Sequence, residues 1–171
     1  MSDYETTELN RRTSNVVKFG AIEEVDYANA KVKVRMGELL TAWIPWSSKS
    51  SNNSAWLAPE IGEQVVVASP SGELNQGVVL GSLPQDLHPP AGSSPDKHTM
   101  VYGDGTVIEY DRAAHHLKAV LSGGGTVEII ATGGVSIKAD GGVSIDASSG
   151  VTIKGNVAVQ GNITATGTIT P

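Results

Sequence analysis

The sequence predicts an all-β protein in two parts, a small closed barrel of the OB type followed by a stalk in which several identical chains intertwine. Two observations carry this. Between about residues 15 and 83, five short stretches alternate apolar and polar residues, with no amphipathic helix among them. From residue 127 the chain repeats, as VEIIATGG, VSIKADGG, VSIDASSG and VTIK, with valines 127, 135, 143 and 151 spaced by eight. A tighter unit of six follows, GNVAVQ, GNITAT and GTIT. A fixed period outranks local propensity and sets the architecture.

Residues 1–14, MSDYETTELNRRTS, are polar and charged with no apolar stripe, and read as an arm or a single helical turn. The opening residues lack the apolar core of a signal peptide, so synthesis in the cytoplasm is expected. VVKFGAIEEVD, from Val16, alternates loosely up to a turn at DYANA. AKVKVRM alternates cleanly, placing Val32, Val34 and Met36 inward and Lys31, Lys33 and Arg35 outward. LLTAWIPW is expected as one strand carrying Trp43 and Trp46, and SSKSSNNSA as a polar surface loop. Val65–Val66–Val67 and Val78–Val79–Leu80 complete the five strands. The span 15–83 is small enough for a closed barrel.

PQDLHPPAGSSPDKHTM, residues 84–100, holds four prolines without periodicity and reads as a linker. In 101–171 the chain first forms a neck. Gly103-Asp104-Gly105 is a turn, Val107 to Tyr110 a strand, Asp111 to Ala114 a turn, and Leu117 to Leu121 another strand.

In the stalk, Val135 and Ile137, Val143 and Ile145, and Val151 and Ile153 share one face. Ser136, Ser144 and Thr152 take the other, followed outward by Lys138, Asp146 and Lys154. The Gly-Gly and Ser-Gly pairs supply positive φ where the strand changes direction. A stripe of two β-branched residues per turn is too thin to bury itself, so identical copies must each contribute one wall of a shared core. Three chains in a β-prism fit, with a core of Val127, Ile129, Val135, Ile137, Val143, Ile145, Val151, Ile153, Val157, Val159, Ile163 and Ile169. A flexible linker would lack a Val-x-Ile triplet in every repeat, and a single-chain β-helix needs coils of about 20–25 residues.

Composition narrows the function. A net charge of −6 argues against a general nucleic-acid binder, and no apolar run approaches the roughly 20 residues of a membrane span. The absence of cysteine excludes disulfides, thiolate metal sites and a cysteine nucleophile. His115 and His116 are adjacent, so on a strand they point to opposite faces and one strand cannot chelate with both. Glu23–Glu24 and the pair Glu60 and Glu63 lack the apolar cleft that acid/base work by paired carboxylates requires. Gly123-Gly124-Gly125 is followed by no Lys-Ser/Thr, so it is no phosphate loop. The expectation is therefore a non-enzyme with no catalytic, cofactor or metal residues.

Barrel, proline linker and tapering repeat together resemble the membrane-piercing central spikes of contractile phage tails and tailocins, the baseplate assembly protein V family. GAIEEVDYANAKVKV, IPW, IGEQVVVASPSGELNQGVVLGSL and the Val-x-Ile repeats carry the resemblance, across about residues 15–171. It implies a homotrimer with an OB-fold collar and an intertwined triple-stranded β-helix as its needle. The collar would dock on the tail hub of the baseplate, and the point would be driven through the bacterial outer membrane as the sheath contracts. Larger relatives carry a lysozyme domain between collar and needle, where this chain has only its short linker. Many family members end in a His-x-His motif that holds an apical iron. This chain ends GTITP with no histidine after His116, so no such metal is expected, and tip closure falls to the aliphatic stripe or to a separate tip-capping protein. Two rival functions are a trimeric tail fibre or adhesin, which would want a bulky C-terminal head, and an OB-fold single-strand nucleic-acid binder, which the acidic balance disfavours.

Overall fold

The computed structural model describes residues 3–168, and these divide into two compact units between Thr126 and Val127. The first unit contains the helix, the barrel and a separate three-stranded sheet. The second is the repeat.

The N-terminal segment is longer than the expected single turn. It forms helix α1, Asp3–Asn15, with acidic residues in the first turn and Arg12 in the last, which suits the helix dipole. Glu8 ties to Arg11 at 2.8 Å and to Arg12 at 2.7 Å, one turn further along the same face. No apolar stripe announces this helix, because it docks by its C-terminal end. A Cβ on Gly72 would lie 2.2 Å from the carbonyl oxygen of Arg12, so only glycine lets the two backbones touch there. Gly72 also has φ +73°.

The barrel is built from β1 (Val17–Asp26), β2 (Lys31–Met36), β3 (Leu39–Leu40), β4 (Ile44–Pro45), β5 (Gln64–Ala68) and β6 (Val78–Leu83). Its order is β3-β2-β1-β5-β6, all antiparallel, with β4 also pairing β2. Closure comes from a parallel bridge between Trp46 and Val79, where the Ser47 N–H donates to the Val79 carbonyl at 2.7 Å. The expected inward residues Val32, Val34 and Met36 are buried, and they pack with Ile22, Ile44, Trp46, Val65, Val67 and Val79.

The single strand expected over LLTAWIPW is in fact two. Thr41, 4% exposed, interrupts it. Its hydroxyl accepts from the Val34 N–H at 3.0 Å and its own N–H donates to the Val34 carbonyl at 3.1 Å, pinching the chain against β2. Ladder pairing resumes only at Ile44.

The proline-rich segment ends earlier than its composition suggests. β7 (Lys97–Val101) begins inside it and pairs antiparallel with β8 (Val107–Asp111), which pairs with β9 (His116–Val120). The expected turn between the last two strands is an Asx turn. Asp111 Oδ1 accepts from the N–H groups of Ala113 and Ala114, at 2.9 and 3.0 Å.

Candidate functional site

The repeat unit is the first candidate, because its sequence organises the chain. Successive repeats turn at glycines of positive φ. Each Val-x-Ile piece leads to a corner at glycine with positive φ, at Gly134 (119°), Gly142 (97°) and Gly150 (90°), and then at Gly155 and Gly161. The Gly150 N–H closes its corner by donating to the Ala147 carbonyl at 2.9 Å. An L-residue is strained in this region of φ, which explains why glycine recurs at the period of the repeat.

Between the corners, the described residues form no strand ladder within the chain. The aliphatic stripe is uncovered. Val127 and Ile129 are each 73% exposed, Ile137 is 75% exposed, and Val135, Val143, Ile145, Val151, Ile153, Val157, Val159 and Ile163 are also exposed. Ile169, the last residue of the expected core, lies outside the described residues. Each such side chain fully buried contributes about 1.5–3 kcal/mol. Extended backbone without pairing partners also leaves its N–H and C=O groups unsatisfied by protein. Both deficits are of the kind that further copies of the same strand repair.

The three-stranded sheet is two-faced. On one side Lys97 donates to Glu109 at 2.9 Å and approaches Asp111 at 3.9 Å, and the Thr99 hydroxyl donates to Glu109 at 3.2 Å. The Lys97 ammonium holds the Glu109 carboxyl below its ordinary range, and the Ala114 N–H does the same for Asp111. On the other side Met100, Ile108, Tyr110 and Leu117 are exposed. The alternation of VIEY and of HLKAV carries the signal for this apolar face, although no single block repeats it.

The barrel surface offers a weaker case. Lys33 pairs with Glu24 at 3.0 Å and lies 4.7 Å from the ring centre of Trp43, while Arg35 pairs with Glu23. The outward row of β2 is therefore a mixed-charge face. Trp46 is buried, whereas Trp56 is 62% exposed and meets it edge-on at 5.4 Å. A shallow cavity of about 280 Å³ opens beside Trp46, bordered by Lys49, Leu57 and Glu63. The Glu63 carboxylate is occupied there by the Glu60 N–H at 2.8 Å and by the Ser82 hydroxyl. Glu60 and Glu63 thus form a local turn.

His116 takes its place in β9 opposite Asp111, while His115 sits in the preceding turn with φ 52°. His88 places a buried Nε2 without a partner beside the barrel. Among the described residues, no three His, Asp or Glu side chains gather as a metal-binding set, and no helix is long and apolar enough to cross a membrane.

The two halves of the chain also match two families. Residues 18–83 match the type VI secretion system/phage-baseplate injector OB domain. Residues 98–171 match the β-helical trimerization domain of Gp138, a stretch that takes in the three-stranded sheet as well as the repeat. The chain is 32% identical over 127 residues to the spike protein of Escherichia phage P2, covering 74% of this chain and 59% of that protein. The aligned region thus spans under two thirds of that relative's length. An injector OB domain joined to a β-helical trimerization domain is the composition implied by the resemblance to contractile-tail spikes, and the all-β fold expected from the sequence stands with it.

Proposed function

We propose that this chain is the central spike of a contractile tail, belonging to a phage or a tailocin particle. Three copies form an intertwined β-helical needle, and the OB domains form a collar that docks on the baseplate hub. Sheath contraction then drives the needle through the outer membrane of the target cell. The observation that carries this reading is an aliphatic stripe exposed along the whole described repeat, on a chain whose barrel is already complete.

The role is mechanical. A needle whose strands pair between chains has no free sheet edge along its length and resists unfolding through a high kinetic barrier. Small side chains at the corners keep the shaft slender. The chain turns over no substrate and carries no resident metal. A clearing zone in a cell-wall zymogram, or stoichiometric iron in the purified protein, would overturn these two statements.

Light scattering gives the primary test, run beside boiled and unboiled samples in an SDS gel. A trimer that resists SDS until boiled is expected, and a monomer removes the basis of the proposal. Piercing is tested separately, by membrane depolarisation after contact with assembled tails. Tails carrying Val143→Asp spikes are expected to lose this response.

A further inference from the structure

The octad part of the stripe that brings the chains together does not by itself tell them how to align. Its Val-x-Ile units are the same at 135–137 and 143–145, and nearly so at 151–153, so within the octads sliding one chain by eight residues restores the same apolar contacts. Repetitive, glycine-rich strands specify register weakly for this reason. Something outside the stripe has to discriminate.

The fourth position of the octad can do so. It holds Lys138, Asp146 and Lys154 in three consecutive repeats. All three are exposed, and among the described residues none makes an ion pair or side-chain hydrogen bond within its own chain. They follow Val-x-Ile by alternation, on the side away from the stripe. Asp140, the other charge of these repeats, sits in the corner before Gly142. No charged residue occurs in 155–171, so the charged row ends where the repeat shortens.

From this pattern we infer that Lys138, Asp146 and Lys154 form an interchain charge ladder that fixes the register of the three chains. The inference rests on the trimeric reading above and goes beyond it. Each octad has one Val-x-Ile piece and one glycine corner, so in a three-chain prism with that piece extended each chain advances by one face per octad. Threefold symmetry then places octad n+1 of a neighbouring chain directly above octad n, one strand spacing of about 4.8 Å higher. Equivalent positions stack. Lys138 of one chain lies under Asp146 of a second, which lies under Lys154 of the third, and every Asp146 touches both of its neighbours. A slip of one octad in either direction instead sets Lys138 against another Lys138 or against Lys154. Correct register is attractive and both nearest errors are repulsive, which is how charges select partners in coiled coils.

The chain has no cysteine, so introduced thiols report the register cleanly. Ser136→Cys with Ser144→Cys places a thiol of one chain under a thiol of the next, and mild oxidation is expected to yield a closed covalent trimer. Ser136→Cys alone is expected to yield no cross-link. Adding Asp146→Lys to the double-cysteine chain makes the row all lysine, and the covalent trimer is expected to fall about tenfold, with 136–136 dimers appearing in its place. The triple reversal Lys138→Asp, Asp146→Lys, Lys154→Asp restores alternation and is expected to restore the trimer yield. Equal cross-linking with Asp146→Lys overturns the ladder, as does a triple reversal that fails to recover, or an absence of 136–144 links in a protein that is trimeric by light scattering. A monomer by light scattering overturns the trimeric reading itself.

Discussion

The barrel and the repeat use the same residue types to opposite ends. In the barrel, valines and isoleucines alternate along strands that bend back on themselves, so Val32, Val34, Val65 and Val67 are wholly buried within one chain. In the repeat, valines and isoleucines alternate just as cleanly, yet Val135 and Ile137 remain more than half exposed. What differs is the connection. Barrel strands are joined by turns that return the next strand to its neighbour, as between β1 and β2, while across the glycine corners the described residues of the repeat do not pair with one another. Local pattern alone therefore does not determine whether a strand finds its partner in its own chain. The path between strands does.

That contrast can be broken from either side. The largest effect is expected from a charge in the stripe. Val143→Asp introduces three carboxylates at one level of the shared core, where an unpaired charge costs several kcal/mol. SDS-resistant trimer should disappear, while tryptophan fluorescence still reports a folded barrel. The converse is Ile44→Ala, which empties a fully buried barrel site at a cost of about 2–5 kcal/mol. Barrel melting should drop by several degrees with SDS resistance unchanged. If either substitution unfolds both parts together, the separation into two units fails.

A glycine corner gives a smaller and sharper test. Gly142→Ala puts a Cβ at φ 97° and should cost about 1–2 kcal/mol per chain, read as faster dissociation of the heated trimer. Gly72→Ala acts only on the barrel side, forcing the end of α1 off its seat. It should raise amide exchange in α1 and leave the trimer intact.

The smallest effect is electrostatic. Arg11 and Arg12 depress the Glu8 carboxyl from the ordinary 4.5 to about 2. A carboxylate with a lowered folded value stabilises above about pH 4.5, and its contribution is lost as the pH falls towards 2. Fraying of α1 in that window should be visible by amide exchange, and should weaken in high salt because the group is exposed. Glu8→Gln should remove the pH dependence without altering oligomeric state.

The parts of the fold that were legible in the sequence are those where side chains alone report the environment. AKVKVRM displays its inward and outward rows in its spelling, and the octads show their glycine corners. The illegible parts depend on a single backbone contact. Helix α1 has no stripe to reveal it because it is anchored by the approach of Arg12 to Gly72. The break at Thr41 depends on a buried hydroxyl reaching the Val34 N–H, and LLTAWIPW reads as continuous without it. Every described member of the candidate stalk core is exposed in the single chain, as is the rest of the repeat, and the apolar face of Met100, Ile108, Tyr110 and Leu117 is not apparent in the sequence, because its residues come from three different segments and recur with no period.

The alternation of charge along the octads also bears on how such a shaft changes length over evolutionary time. Each corner closes one octad, so duplicating 135–142 inserts a complete module and disturbs no hydrophobic contact. It would nevertheless place Lys138 beside a second lysine. Duplicating 135–150 copies a lysine octad together with an aspartate octad and keeps neighbours opposite in sign. Lengthening is thus quantised in pairs, each adding two strand spacings or about 10 Å. Thermal dissociation of the two duplicated variants would display this parity, with the paired insertion as robust as the parent and the single one weaker.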